Sequence, residues 1–219
     1  MSDLFAEEDP RPKAERLAEL AERASQCSLC DLAKTRNKVV FGVGNPEAPL
    51  VLIGEGPGQN EDATGVPFVG KSGMLLDECL RIHGITRKHI YICNVVRCRA
   101  CVYQAGRLQN RPPTLEEIKS CASWLEQTLS IIQPKVILCL GAPSANTIIH
   151  KNFRMTAERG QWYASRYTPH TMATWHPAYI LRLEGEAYET AKNELIGDIE
   201  EARKRVIQAR REPEKTTLF

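Results

Sequence analysis

No stretch of this sequence is apolar for long enough to cross a bilayer. The longest runs, such as residues 136–140, fall far short of the roughly 20 residues a helical span needs. The first eleven residues are polar and acidic, without a basic start leading into an apolar core, so no secretory signal is expected and the chain is expected in the cytosol. Charge of one sign is also missing. Twenty-nine Lys and Arg against 27 Asp and Glu leave a formal +2, which neither demands nor excludes a nucleic-acid partner. There is no internal repeat and no low-complexity tract. With 42% hydrophobic and 26% charged residues the chain is ordinary for a folded protein, which excludes disorder throughout, and 219 residues suit one domain.

Cysteine, by contrast, is abundant: eight residues in a chain expected to stay in a reducing compartment. Four disulfides are therefore not expected, and some of these thiols are expected to bind metal while others fill the core. Cys27-Ser28-Leu29-Cys30 and Cys98-Arg99-Ala100-Cys101 are both C-x-x-C pairs, which read at face value as a four-thiolate site. Cys121, early in an expected helix, is a rival fourth ligand. Cys79, Cys93 and Cys139 fall on apolar patterns and read as core. Spacing alone does not separate zinc from an iron–sulfur cluster.

The apolar pattern predicts a helix over 12–30, where Leu17, Leu20, Ala21 and Ala24 form one stripe. Strands are predicted over 50–53, 89–96, 135–140 and 171–175, and helices over 73–83, 142–150 and 188–211. Another helix runs to about residue 132 from Thr114, whose Glu117 three positions on completes a capping-box pattern. Residues 97–113 carry no periodicity and read as a loop, and 212–219 as a mobile tail. Strands alternating with helices imply an α/β fold: a single-domain three-layer α/β/α sandwich over 1–211, around a mostly parallel four-stranded sheet. Ligands of such sheets bind beyond the carboxyl ends of the strands. Glu55, Asn94 and His176 all lie at such ends, a carboxylate, an amide and an imidazole brought towards one edge.

Two further patterns need weighing. Residues 65–72, Gly-Val-Pro-Phe-Val-Gly-Lys-Ser, match the phosphate-loop expression G-x-x-x-x-G-K-[ST]. That loop must join a strand directly to a helix, and here more than ten residues intervene after the strand, so the match reads as accidental. From Cys79 to Leu115 there are seven Arg or Lys (Arg81, Arg87, Lys88, Arg97, Arg99, Arg107 and Arg111) and no acidic residue. Such a cluster suits a phosphate backbone, and suits a solvated basic surface equally well.

Four segments together resemble the family 4 uracil-DNA glycosylases, the iron–sulfur class. Gly54–Gly70 resembles that family's G-E-x-P-G-x-x-E-D-x-x-G-x-P-F-V-G segment. Asn94-Val95-Val96-Arg97-Cys98 resembles its strand-to-cluster segment, Cys121-Ala122-Ser123-Trp124-Leu125 its fourth-cysteine helix, and residues 176–182 its H-P-S/A-Y-x-L-R loop. The resemblance implies a structural [4Fe–4S] cluster on Cys27, Cys30, Cys98 and Cys121, with Cys101 an extra thiol. It departs where the family has R-P-P soon after the third cysteine, because here residues 99–113 form an insertion. A related branch with a longer loop there uses a loop histidine as a trapping nucleophile. This insertion has no histidine, so turnover is expected.

The implied activity is hydrolysis of uracil from flipped-out deoxyuridine in DNA, single- or double-stranded, as the first step of base excision repair. Phe68 would stack on the base, and Asn94 would read its O4 and N3–H. Glu61 would sit near C5, where it would exclude the methyl of thymine. His176 would donate to O2, with help from the backbone of Gly56 and Phe68. Glu55 would orient water and stabilise the oxocarbenium sugar. Pro177, Tyr179 and Arg182 would contact the DNA. A metal-stapled DNA-binding module without catalysis, and a glycosylase for another deaminated base, remain as rivals. The protein is expected to act as a monomer without membrane contact. The tail ends in Leu218-Phe219, a pair resembling the short peptides that dock on replication sliding clamps.

Overall fold

The computed structural model describes residues 9–211. The reading of a mobile, clamp-docking tail over 212–219 lies outside the described residues. Helix α1 (Lys13–Ser25) is followed by a short 3₁₀ turn, then strands β1 (Val43–Gly44) and β2 (Leu50–Gly54). Helices α2 (Gln59–Thr64) and α3 (Lys71–Ile82) lead to β3 (Tyr91–Asn94) and to the hairpin strands β4 (Cys101–Gln104) and β5 (Arg107–Asn110). Then come α4 (Leu115–Ile132), β6 (Val136–Leu140), α5 (Ala142–Ile148), α6 (Met155–Glu158), β7 (Thr171–Thr174), α7 (Pro177–Ile180) and α8 (Gly185–Ala209).

The central sheet has the order β1-β3-β2-β6-β7. Strands β3, β2, β6 and β7 run parallel, with Gly54 level with Asn94 and Leu140 level with Thr174. Both faces of these strands are buried, which is why they read as unbroken apolar runs. Alternate residues divide between two cores. Val51, Ile53, Ile137 and Cys139 pack under Leu17, Leu20 and Ala24 of α1 and Trp124, Leu125 and Leu129 of α4. Leu50, Leu52, Leu138 and Leu140 pack under Leu75, Leu76 and Leu80 of α3 and Leu195, Ile199 and Ala202 of α8. Each fully buried leucine or isoleucine contributes about 1.5–3 kcal/mol. The expected three-layer sandwich is present, and Cys79, Cys93 and Cys139 are core as expected. Thr114 caps α4 through the full capping box with Glu117.

Two features differ from the sequence reading, and a third bears it out. A fifth strand, β1, pairs antiparallel with β3 at the sheet edge, and its two residues are too few to leave a pattern. Residues 97–113 are not all loop, because β4 and β5 form an antiparallel hairpin closed by Ala105 and Gly106, both at positive φ. The match at residues 65–72 begins at the left-handed cap of α2, not at a strand, so it is no phosphate loop. No described helix is long and apolar enough to cross a membrane.

Candidate active site

The carboxyl ends of the parallel strands open into a cavity of about 630 Å³. Its lining includes Glu55, Gly56, Glu61, Phe68, Asn94 and His176, and Tyr179 and Arg182 stand at the same cavity. Every residue expected to touch the base thus meets at one hollow. The turn after β2 delivers Glu55, the end of β3 delivers Asn94, and the start of α7 delivers His176.

Phe68 sits at φ +55°, a backbone conformation that non-glycine residues adopt only under constraint. The constraint is Arg87. Its guanidinium donates to the Pro67 carbonyl at 2.9 Å and to the Phe68 carbonyl, while Asp77 holds it from behind at 3.0 Å. From the other side, Glu61 Oε1 accepts the amides of Val69 and Gly70, each at 2.9 Å. Glu61 therefore reaches the cavity with its carboxylate engaged in pinning the loop that presents Phe68. The Phe68 ring lies 5.8 Å from the His176 imidazole, tilted by 32°. Two glycines make this approach possible. A Cβ on Gly54 would meet Asn94 Oδ1 and lie 2.7 Å from Phe68 Cζ, and one on Gly73 would collide with the Phe68 carbonyl.

His176 caps α7. Its Nδ1 accepts the Ala178 backbone N–H at 3.1 Å. Burial, with the nearby Arg182 charge adding to it, pulls its pKa down to about 4. The ring is therefore neutral at pH 7. With Nδ1 an acceptor, the proton sits on Nε2, which leaves that atom as a hydrogen-bond donor. Burial also pushes the Glu55 carboxyl above its ordinary value. Asn94, 2% exposed, is fixed by the parallel pairing of β3 with β2.

Of the residues expected to reach DNA, Tyr179 and Arg182 are exposed, whereas Pro177 is buried as the first residue of α7. Pro177 starts the helix with a preset φ and is not a surface contact. Tyr179 stacks on Trp175 with ring centroids 5.0 Å apart. The basic run is only partly a surface. Arg97 and Arg99 are buried, Arg87 is paired with Asp77, and Arg111 is paired with Glu117 at 2.6 Å. The role of Arg87 was invisible in the sequence, because its partners lie 10 to 20 positions away and no local pattern links them.

A second, smaller hollow lies beneath α1 and α4. Cys27, Cys30, Cys98 and Cys121 all line it, and Cys101 does not. Donors already address the sulfurs. The Arg97 amide points at Cys121 Sγ (3.2 Å), Trp124 Nε1 at Cys27 Sγ (3.3 Å) and Arg36 Nη1 at Cys98 Sγ (3.4 Å). Such N–H···S contacts favour thiolate ligands over thiols. Among the described residues no group of three or more His, Cys, Asp or Glu side chains is placed to hold a metal ion, and the four thiols share the lining of this hollow. All eight cysteines are unpaired.

A family model described as "Uracil DNA glycosylase superfamily" matches residues 41–200. The type-4 uracil-DNA glycosylase of Thermotoga maritima is 40% identical over 192 residues, spanning 84% of this chain and 91% of that protein. The type-4 enzyme of Archaeoglobus fulgidus is 42% identical over 136 residues, spanning 62% and 65%. A type-5 uracil-DNA glycosylase of Thermus thermophilus is 29% identical over 156 residues, spanning 63% and 68%. With its strand-end cavity, its four-cysteine hollow and these likenesses, the chain belongs to the uracil-DNA glycosylase superfamily and, within it, to the type-4 enzymes.

Proposed function

We propose that this protein removes uracil from DNA by hydrolysing the N-glycosidic bond of a flipped-out deoxyuridine, leaving an abasic site for base excision repair. The observation that carries this reading is the neutral His176, with Nδ1 held by Ala178 and Nε2–H free to donate beside Phe68 and Asn94. As C1′–N1 breaks, negative charge gathers on uracil O2. A preset neutral donor stabilises that charge without having to give up a proton. The Gly56 and Phe68 backbone is assigned a supporting place at the same oxygen. Phe68 stacks on the base. The Asn94 amide donates to O4 and accepts from N3–H, and cytosine presents the reverse pattern and is rejected. Glu55, a carboxylate at the cavity wall, orients water and offsets the positive charge developing on the sugar. Glu61 acts first by holding the Phe68 loop, and its place in the lining leaves it a part in excluding thymine. Tyr179 and Arg182 touch the DNA around the flipped nucleotide.

Cys27, Cys30, Cys98 and Cys121 are assigned to a [4Fe–4S] cluster, which supplies a structural staple between α1, the segment after β3 and α4. The donors aimed at three of the sulfurs support that assignment. We further propose that the protein acts as a cytosolic monomer, with the Leu218-Phe219 tail docking on a sliding clamp. Removal of 216–219 should abolish clamp co-elution and leave excision from short oligonucleotides unchanged.

The test is excision from duplexes holding one U·G, one U·A or one hypoxanthine. Flipping costs a few kcal/mol and less for a mispaired base, so U·G should be cut faster than U·A. A protein that binds all three and cuts none is the binding module. One that prefers hypoxanthine is a glycosylase for another base.

A further inference from the structure

Arg97 is 1% exposed, and its guanidinium is short of partners. Nη2 donates to Thr128 Oγ1 at 3.0 Å, while Nε and Nη1 are buried with no oxygen partner and only the Cys93 thiol engages the guanidinium besides. The Phe41 ring lies 5.1 Å from Cζ. Beside it stand the Cys93 and Cys121 thiols and the Tyr91 phenol, and no carboxylate of the described residues forms an ion pair with it. A buried cation without an anion is among the costliest arrangements a core can hold. Yet Arg97 lines the hollow ringed by Cys27, Cys30, Cys98 and Cys121.

We infer that Arg97 is the buried counter-cation of the iron–sulfur site, its unpartnered guanidinium atoms balancing the negative charge of the four-thiolate cluster. This rests on the assignment of the four cysteines made above. Four thiolates on an oxidised [4Fe–4S] core leave about two net negative charges in a hollow whose Cys98 and Cys121 are buried. One of those charges is matched by Arg97 from inside, and Arg36 approaches Cys98 from the rim. Arg97 thus does two jobs with one residue: its backbone amide reaches Cys121 Sγ, and its side chain supplies the charge. One of the seven residues in the basic run that looks like a nucleic-acid surface is accounted for in this way as interior chemistry. The consequence is electrostatic. Without the guanidinium, the more negative reduced cluster is disfavoured, and the ligand set is held less firmly.

The experiment compares wild type, Arg97→Lys, Arg97→Met and Arg97→Gln, all purified without oxygen. Three readouts are taken: iron per chain, the rate at which the visible iron–sulfur absorbance bleaches under an iron chelator, and the midpoint of a redox titration. Wild type should hold about four irons. Both neutral variants should bleach at least about tenfold faster and shift to more negative potential, and Arg97→Lys should stay within about threefold of wild type, because the charge is what matters. Using two neutral side chains of different shape separates charge from a packing fault. Neutral variants that match wild type in bleaching and potential would overturn the inference. A lysine variant as labile as the neutral ones would overturn it too, because shape and not charge would then be at work. A wild type without iron would overturn the cysteine assignment itself, which is a different failure from an iron-loaded wild type whose neutral variants are unmoved.

Discussion

The backbone N–H of Ala178 donates to Nδ1 of His176 at 3.1 Å, and this one bond settles which nitrogen of the imidazole carries the proton. The pKa of about 4 lies below the 6.5 of a free imidazole. Between those values the unfolded chain binds a proton that the native protein refuses, so stability rises with pH from about 4 to 6.5 and is fully present above that window. His176→Gln should flatten that slope by up to about 2 kcal/mol, allowing for solvent at the cavity mouth, as read by chemical denaturation at pH 7 and pH 5. An unchanged slope would count against a neutral His176. The excision rate should show no inflection near 6.5. Its acid limb should belong to Glu55, whose carboxyl is pushed up by burial, and Glu55→Gln should remove it.

Gly54 lies level with Asn94 across the sheet, and only a missing side chain there lets Phe68 and Asn94 share the cavity. Gly54→Ala should leave a folded protein whose excision rate falls by at least about a hundredfold, since a misplacement of about 1 Å in a site costs that much. A crystal structure of the variant should show the Phe68 ring displaced. Normal excision would mean that the ring and the amide need not be so close.

Arg87 is the clamp on the strained Phe68. Arg87→Ala leaves two carbonyls and the Asp77 carboxylate without their donor, and should cost about 1–3 kcal/mol in denaturant unfolding. Excision should weaken mainly through KM, because the stacking ring is no longer held in place. Arg87→Lys, which cannot span both carbonyls, should rescue little of it.

Cys101 lies outside the hollow that the other four cysteines line. Cys98→Ser should therefore strip the protein of iron, and Cys101→Ser should leave iron content and colour unchanged. The reverse pattern in an iron analysis would move the third ligand to Cys101.

What the sequence made legible follows from where burial leaves a pattern. The parallel strands are buried on both faces, so their apolar runs stand out, and Thr114 with Glu117 marks the start of α4 through local hydrogen bonds. Glu55, Asn94 and His176 could be placed at one edge because strand ends are positions that topology alone brings together. The hairpin of β4 and β5 left no signal: most of its side chains face solvent and its turn is Ala-Gly, not Asn-Gly. The buried Arg97 and Arg99 were also hidden, because charge counting treats every arginine as surface. The loop-pinning by Glu61 and the inward turn of Pro177 depend on contacts a few residues away that carry no periodicity.

Single-turnover excision from an oligonucleotide carrying one uracil, run on wild type, Asn94→Ala and His176→Ala alongside their affinities for the same DNA, tests the central claim most directly. Wild type should convert the strand to an abasic, alkali-cleavable product. Each variant should do so about 10²–10³-fold more slowly with its DNA affinity retained, the loss typical when one donor to developing charge is removed. Uracil left intact by wild type, or near-normal rates in both variants, would contradict it.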